Sequence, residues 1–403
     1  MTNFSAVPSN SPSLPSASVV VIGAGLTGLV VAQSLRRRGY QVLVLEKSFG
    51  VGGRLNTRRV DGARADRGVR HLDGSEPLVW QLIQPLVDRG VVQRWAGVGF
   101  QYLPSQLKTV DTSDRYCAPE GLSQVAKALA QDLDILFNHR AIALARLPDA
   151  PSSSAPSSNA NAPNGRWTIY CDHPREGTPR EGNQGIYEQI QANTLVVTVP
   201  APQAEGLLAT VDPGRYGNVS KFLEVIAPVR YAPCFSVTAT YAPARDLDPP
   251  ALRNWQGIEV LNDSALAWVA REDRKSACDR PVVGLQSSAE FARRWVDAQD
   301  FYPIGRQLLA QAEQIFNLPF RHPQEFQVHP WRYAQVINPL DNAYLNDAAA
   351  GLWIGGDWCG GKNVAGALAS GLAIADAVDQ ANGSSSINPS LGELVISVDT
   401  PAP

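Results

Sequence analysis

An α/β protein of two interleaved units is the fold class this sequence predicts, and three observations predict it. A glycine turn, Gly23-Ala24-Gly25-Leu26-Thr27-Gly28, joins a β-branched run to an apolar helical stretch near the N-terminus. A second strand-turn-helix pattern, with Gly355, Gly356 and Asp357 at its turn, lies near the C-terminus. Between them, residues 213–329 alternate as strands of a sheet with one covered face do. A chain of 403 residues exceeds what one compact core normally holds, and 44% hydrophobic with 18% charged residues is ordinary globular composition.

Taken in order, residues 1–17 are rich in Ser, Pro and Asn and carry no Lys or Arg. They fit neither a secretory signal nor a transit peptide, and read as a flexible tail of a cytoplasmic protein. Residues 19–22 form a short strand, 29–38 a helix closed by Gly39, and 42–45 a second strand ending at Glu46. That is a βαβ unit with parallel strands and a right-handed crossover. Residues 120–131 look helical and 135–147 hold strand-like segments. From 148 to 165 no side chain is larger than Asp or Asn, so this stretch predicts a flexible insertion without a core. Two strands at 167–171 and 187–190 follow, and the apolar run 195–199 reads as a buried parallel strand returning to the first unit. Strands are expected at 235–241, 257–261, 266–270 and 282–287, with Ser287 and Glu290 as a capping box for the next helix. Residues 352–379 return to strand, turn and helix, and 382–403 read as a loose tail. The first unit is thus expected to comprise residues 18–75, 115–212 and 330–381, and the second 76–114 and 213–329.

Charge and composition narrow the function. A net charge of -3 without a basic stripe argues against a nucleic-acid surface and leaves a small-molecule ligand. The five cysteines are scattered with no CxxC pair and the five histidines have no ligand spacing, so no metal is expected. No run reaches the ~18 apolar residues of a membrane span. Oligomeric state is not legible.

A GxGxxG alone is a weak signal, but this one follows a strand, opens a helix and has an acid, Glu46, 18 residues past its last glycine. Gly23 permits the tight turn, Gly25 lets the backbone approach a pyrophosphate, and Gly28 lets helix pack on strand. The helix start offers free N–H donors and a positive dipole end to phosphates. Glu46 accepts from ribose hydroxyls and disfavours a 2′-phosphate, so the bound dinucleotide is FAD or NAD. Gly52-Gly53-Arg54 and then Gly68, Val69 and Arg70 go beyond what a plain NAD dehydrogenase needs. In two-domain flavoproteins such an arginine lies near the dinucleotide phosphates, and the backbone near Gly68 approaches the isoalloxazine ring. At the other end, Asp357 suits ribityl hydroxyls, and the helix opened by Val364-Ala365-Gly366-Ala367 can stabilise negative charge on reduced flavin. The reading is therefore a Rossmann-type FAD-binding domain with an interleaved α+β substrate domain on a mixed or antiparallel sheet.

Three segments carry a family resemblance: Ala118-Pro119-Glu120-Gly121-Leu122-Ser123, Arg230-Tyr231-Ala232, and Trp331-Arg332-Tyr333-Ala334-Gln335-Val336. With the glycine elements they resemble the renalases, within the amine-oxidase-like FAD superfamily. The likeness runs over residues 19–379, is interrupted at 148–165 and is thin in the second unit. It implies an amine-oxidase or p-hydroxybenzoate-hydroxylase-like fold. It also implies oxidation of the 2- or 6-dihydro isomers of NAD(P)H, by hydride transfer to flavin N5 and return of the electrons to O2, giving NAD(P)+ and hydrogen peroxide. Positioning supplies most of such catalysis, because aromatisation drives the transfer and no general base is obligatory. On that basis His71, Trp331, Tyr333 and Gln335 are the candidates for the substrate face. The candidate cofactor contacts are Gly23, Gly25, Leu26, Thr27, Gly28, Glu46, Lys47, Gly53, Arg54, Gly68, Val69, Arg70, Ala141, Gly356, Asp357, Val364, Ala365, Gly366 and Ala367. Covalently flavinylated amine oxidases carry a cysteine upstream of the terminal Gly-Asp element; residues 319–350 hold none, so non-covalent FAD is expected. A flavin amine oxidase or desaturase is the alternative enzyme, and a flavin-binding protein serving a partner with vestigial chemistry the alternative of another class.

Overall fold

The computed structural model describes residues 17–104, 106–147, 166–172, 188–248, 250–276, 278–383 and 389–396. The expected tail before residue 17 and the expected insertion at 148–165 lie outside them.

The N-terminal unit is an eight-stranded sheet whose strand Ala17–Ile22 pairs in parallel with Val42–Leu45 on one side and Glu188–Val197 on the other. Leu352–Ile354 extends the parallel part beside Glu188–Val197, and Arg166–Asp172 with Arg140–Leu147 adds an antiparallel flank. The segments expected as separate strands at 187–190 and 195–199 are one strand, which pairs antiparallel through its first half and parallel through its second. Alternation sends Val19, Val21 and Val44 under the helices Leu26–Arg37 and Asn363–Ala381. Val20, Ile22 and Leu45 point to the other face, covered by Ala201–Leu208 and Val219–Ile226. A sheet covered on both faces reads as continuous apolar runs, which these strands are.

The second unit is a seven-stranded mixed sheet in the order Glu325–Asn338, Arg230–Thr240, Val282–Ser287, Leu266–Arg271, Trp255–Val260, Val98–Leu103, Gln106–Val110. The expectation of one covered face is corrected. Val283 and Leu285 lie under the helices Ala289–Trp295 and Tyr302–Phe316, while Val282 packs on Ala63 and Ala65 of the hairpin Thr57–Val60/Ala63–Asp66 of the first unit. The two units therefore meet across this hairpin.

Local readings shift in four places. The helix expected at 120–131 is Ser123–Leu129, because Gly121 takes φ +90° in the preceding turn. The helix after the last antiparallel strand is capped by Ser288, which accepts from Phe291 N; Ser287 instead accepts from Phe235 N, 2.9 Å. The helix Pro77–Asp88, assigned by sequence to the second unit, buries Val79, Leu82, Ile83 and Leu86 in the first unit's core, and residues 330–338 of the strand Glu325–Asn338 lie in the second sheet. The loose tail expected at 382–403 contains the helix Leu391–Leu394, with a Ser390/Glu393 capping box and with Leu391, Leu394 and Val395 buried. Among the described residues no helix is long and apolar enough to cross a membrane.

Candidate active site

The glycine turn is assembled by three close approaches. Gly23, at φ +106°, donates to Leu45 O at 2.8 Å. A Cβ on Gly28 would stand 2.0 Å from Gly23 O, so helix and strand touch backbone to backbone there. Gly52 N donates to Ala24 O at 2.8 Å, and Gly53 reaches Gly25, which lays the second glycine turn over the first. Gly25 differs from its neighbours, because a Cβ there would meet nothing within 4 Å. It caps a helix with no side-chain cap and no acid in its first turn, and the first intrahelical bond is Leu29 N to Gly25 O at 2.9 Å, so the N–H groups of Leu26 to Gly28 have no intrahelical acceptor. An uncapped helix start of this kind fits the phosphates of a dinucleotide. Thr27 is committed to packing: its Oγ1 donates to Ala367 O at 3.0 Å, where the helices of the two glycine elements cross.

Glu46 is buried, and its carboxylate accepts from Ala24 N and Ser48 N, both at 2.9 Å, and from the Ser48 hydroxyl. The acid at the strand end thus touches the phosphate loop itself, while Lys47 beside it is exposed. His139 N donates to Glu46 O, which carries Ala141 along the same edge.

Arg54 and Asp357, expected at the phosphates and the ribityl chain respectively, are paired with each other. Nη1 and Nη2 of Arg54 meet Oδ2 and Oδ1 of Asp357 at 2.6 and 2.7 Å, and the guanidinium lies 5.9 Å over the Tyr231 ring. The buried carboxylate raises the Arg54 pKa against the cost of its burial. Gly356 N donates to Ser370 Oγ of the C-terminal helix at 3.1 Å, fixing the turn to the helix of Val364, Ala365, Gly366 and Ala367.

Residues 68–71 are clamped from both units. A Cβ on Gly68 would fall 1.9 Å from Arg54 O, to which Val69 N donates at 3.0 Å. From the second sheet, Gln286 Nε2 donates to Gly68 O at 2.7 Å, and Gln286 Oε1 accepts from Arg70 Nε at 2.8 Å. Arg70 stacks 4.9 Å over Trp268. Lys275 Nζ donates to Arg70 O at 2.8 Å and sits between Asp66 and Glu272 at 3.2 and 3.0 Å, all three side chains buried. Its pKa is raised to about 12 by those carboxylates against desolvation, while burial raises Glu272.

The candidate substrate residues fall into two places. His71 lies 6.3 Å from the Trp95 ring and 6.1 Å from Trp268; burial first, then Arg115 and Lys275, push its pKa to about 3, so it is neutral near pH 7. Trp331, Tyr333 and Gln335 lie on the strand Glu325–Asn338, whose pairing register shifts between Trp331 and Gln335. Trp331 Nε1 donates to Arg67 O at 2.9 Å, beside Gly68, Tyr333 meets Tyr231 edge-on at 5.6 Å, and Gln335 is exposed. Gln286, Glu272 and Lys275 were not found from sequence; the only signal for the last two is a charged run, residues 271–275, interrupting an apolar sheet.

Residues 21–86 match the family model described as NAD(P)-binding Rossmann-like domain. AofH of Mycobacterium tuberculosis, named for a flavin-containing monoamine oxidase, is 44% identical over 68 residues, which is 17% of this chain and 15% of that protein. A 4,4'-diapophytoene desaturase of Staphylococcus aureus is 44% identical over 50 residues, 12% of this chain and 10% of its own. The structure of cyclohexylamine oxidase from Brevibacterium oxydans IH-35A superimposes with a TM-score of 0.64 at 12% identity, covering 91% of this chain and 99% of that one. The whole architecture is therefore shared with amine oxidases of known structure. The loop, the buried Glu46 and these likenesses together support FAD as the cofactor.

Proposed function

We propose, from this amine-oxidase-like framework, that the chain is an FAD-dependent oxidoreductase of renalase type, oxidising 2- or 6-dihydro isomers of NAD(P)H with O2 as final acceptor. One observation carries the reading: two of the three renalase-like segments, far apart in sequence, meet on one hairpin and the residues that leave it, and the third pairs with one of those two. Leu122 N donates to Asp66 Oδ1 and Ser123 N to Thr57 Oγ1; Trp331 donates to Arg67 O; and Tyr231 pairs in register with Val336 on the neighbouring strand.

FAD, when bound, supplies the two-electron acceptor that O2 regenerates. Gly25 and the helix start behind it hold phosphates, Glu46 offers free lone pairs to a ribose, and Asp357, braced by Arg54, presents a fixed carboxylate to further hydroxyls. The chain's work on the substrate is positioning: Trp331 and Tyr333 offer aromatic surfaces, and Trp331 is oriented by its bond to the Arg67 carbonyl. Loss of hydride from a dihydronicotinamide leaves an aromatic ring and no proton to remove, so a neutral His71 without a carboxylate partner suffices. Arg70, held by a glutamine rather than an acid, makes this region hospitable to anionic rather than cationic substrates.

The test is anaerobic mixing of FAD-loaded protein with 2- and 6-dihydro-NAD, ordinary NADH and a panel of amines, following flavin absorbance. Rapid bleaching by the isomers is expected. Bleaching by amines and not by the isomers would instead establish the flavin amine oxidase reading, which the AofH match favours.

A further inference from the structure

The hairpin Thr57–Val60/Ala63–Asp66 presents two arginines that nothing in the cofactor framework uses. Arg58 pairs with Ala65 and Thr57 with Asp66, and one step further Arg67 N donates to Asn56 O at 3.0 Å. Directly opposed residues share a face, so Asn56, Arg58 and Arg67 lie on one side of the hairpin, with Arg58 and Arg67 diagonal neighbours; Arg59 and Arg64 lie on the other. Among the described residues the Arg67 guanidinium bonds only the Asn56 amide oxygen, through Nε at 3.2 Å and Nη2 at 2.8 Å. Among the described residues neither Arg58 nor Arg67 has an ion pair, although the chain's carboxylates neutralise many of its other arginines. Burial and the Arg58 charge push Arg67 down to about 10. Facing the pair is His329, held near pKa 4 by burial and by the same two arginines. His329 packs edge-on against Trp331 at 4.4 Å, and Trp331 is bonded to the Arg67 carbonyl.

We propose that Arg58, Arg67 and His329 form a subsite for the phosphate groups of the substrate, placed so that a substrate ring lies toward Trp331 and Gly68. Two neighbouring guanidiniums without an acid repel each other, and Arg67 is half-buried while Arg58 is exposed; a pyrophosphate relieves the repulsion by accepting from each fork. The neutral imidazole can donate one further hydrogen bond without adding charge. A cationic amine would meet repulsion at the same place. The subsite deepens the dihydronicotinamide reading, on which the identity of the ring rests, whereas the anion preference rests on the arginines alone.

The test uses FAD-loaded protein, so that the Gly25 loop is already filled. Calorimetric titration with ADP-ribose and with inorganic pyrophosphate is compared for the native protein, Arg67→Gln, Arg58→Gln, Arg67→Lys and Arg59→Gln. Loss of a charge-assisted fork weakens binding about ten-fold or more. That loss is expected for Arg67→Gln and Arg58→Gln, with a flatter salt dependence, an intermediate loss for Arg67→Lys, and none for Arg59→Gln. Unchanged binding in Arg67→Gln, or an equal loss in Arg59→Gln, overturns the subsite. Should pyrophosphate binding fall in Arg67→Gln while dihydronicotinamide isomers leave the flavin oxidised, the subsite stands and the ring assignment falls. Should the isomers be oxidised with an unaltered KM in Arg67→Gln, the ring assignment stands and the subsite falls.

Discussion

His71 shows how a residue's chemistry is decided by what surrounds it rather than by its type. An imidazole in the neighbourhood of Arg70, Arg115 and Lys275, with an unpartnered Nδ1 and burial between tryptophans, is held at a pKa of about 3. The folded state therefore binds its proton less readily than the unfolded chain, whose histidine titrates near 6.5. A depressed pKa contributes stability that is present above about pH 6.5 and is lost as the pH falls toward 3. The slope cannot exceed about 1.4 kcal/mol per pH unit for one proton. We expect His71→Gln to flatten the loss of urea stability between pH 6.5 and pH 4.5 relative to the native protein. An unchanged slope would assign the acid sensitivity to other groups, of which His329, held near 4 for similar reasons, is the first to test.

Elements separate what the sequence disclosed from what it hid. The glycine loop was legible because its constraints are local: Gly28 must lack a Cβ where one would meet Gly23 O at 2.0 Å, and a tight strand-turn-helix allows few alternatives. The clamp on Gly68 was not legible, since Gln286 and Lys275 reach it from more than 200 residues away and neither sits in a motif. The bond between Arg54 and Asp357 was half legible: each was named, but their pairing across 303 residues was not. The C-terminal helix Leu391–Leu394 was hidden by its Ser- and Pro-rich neighbours, although Leu391, Leu394 and Val395 keep helical spacing and are buried against the first unit's core. Removing one fully buried leucine costs about 2–5 kcal/mol. Leu394→Ala is accordingly expected to lower the melting temperature by several degrees while leaving FAD stoichiometry unchanged. A melting temperature equal to that of the native protein would mean that this helix detaches in solution.

At the scale of the whole molecule, the two units are joined by a charge cluster where both hold residues 68–71. Lys275 and Glu272 come from the second unit and Asp66 from the first; Asp66 also accepts from Leu122 N and Thr57 Oγ1, and Glu272 accepts from Asp66 N at 3.0 Å. Two buried carboxyl groups share one ammonium, and burial already raises the Glu272 pKa. Replacing Lys275 by Met leaves two uncompensated acids facing each other. Breaking a buried pair in this way costs about 3–5 kcal/mol. The loss should depend on pH in a definite direction. Without the ammonium, Glu272 takes up a proton at a pH well above its unfolded value, so the folded variant binds more protons than the unfolded chain. Stability of Lys275→Met is then greatest below about pH 4.5 and declines as the pH rises toward neutrality. The double variant Glu272→Gln/Lys275→Met removes one acid along with the ammonium and should recover much of the loss at pH 7. Chemical denaturation of both variants from pH 4.5 to 7.5 decides the matter. If Lys275→Met is as stable as the native protein at pH 7, or if the double variant gains nothing over it, the cluster does not join the units in the way its geometry requires.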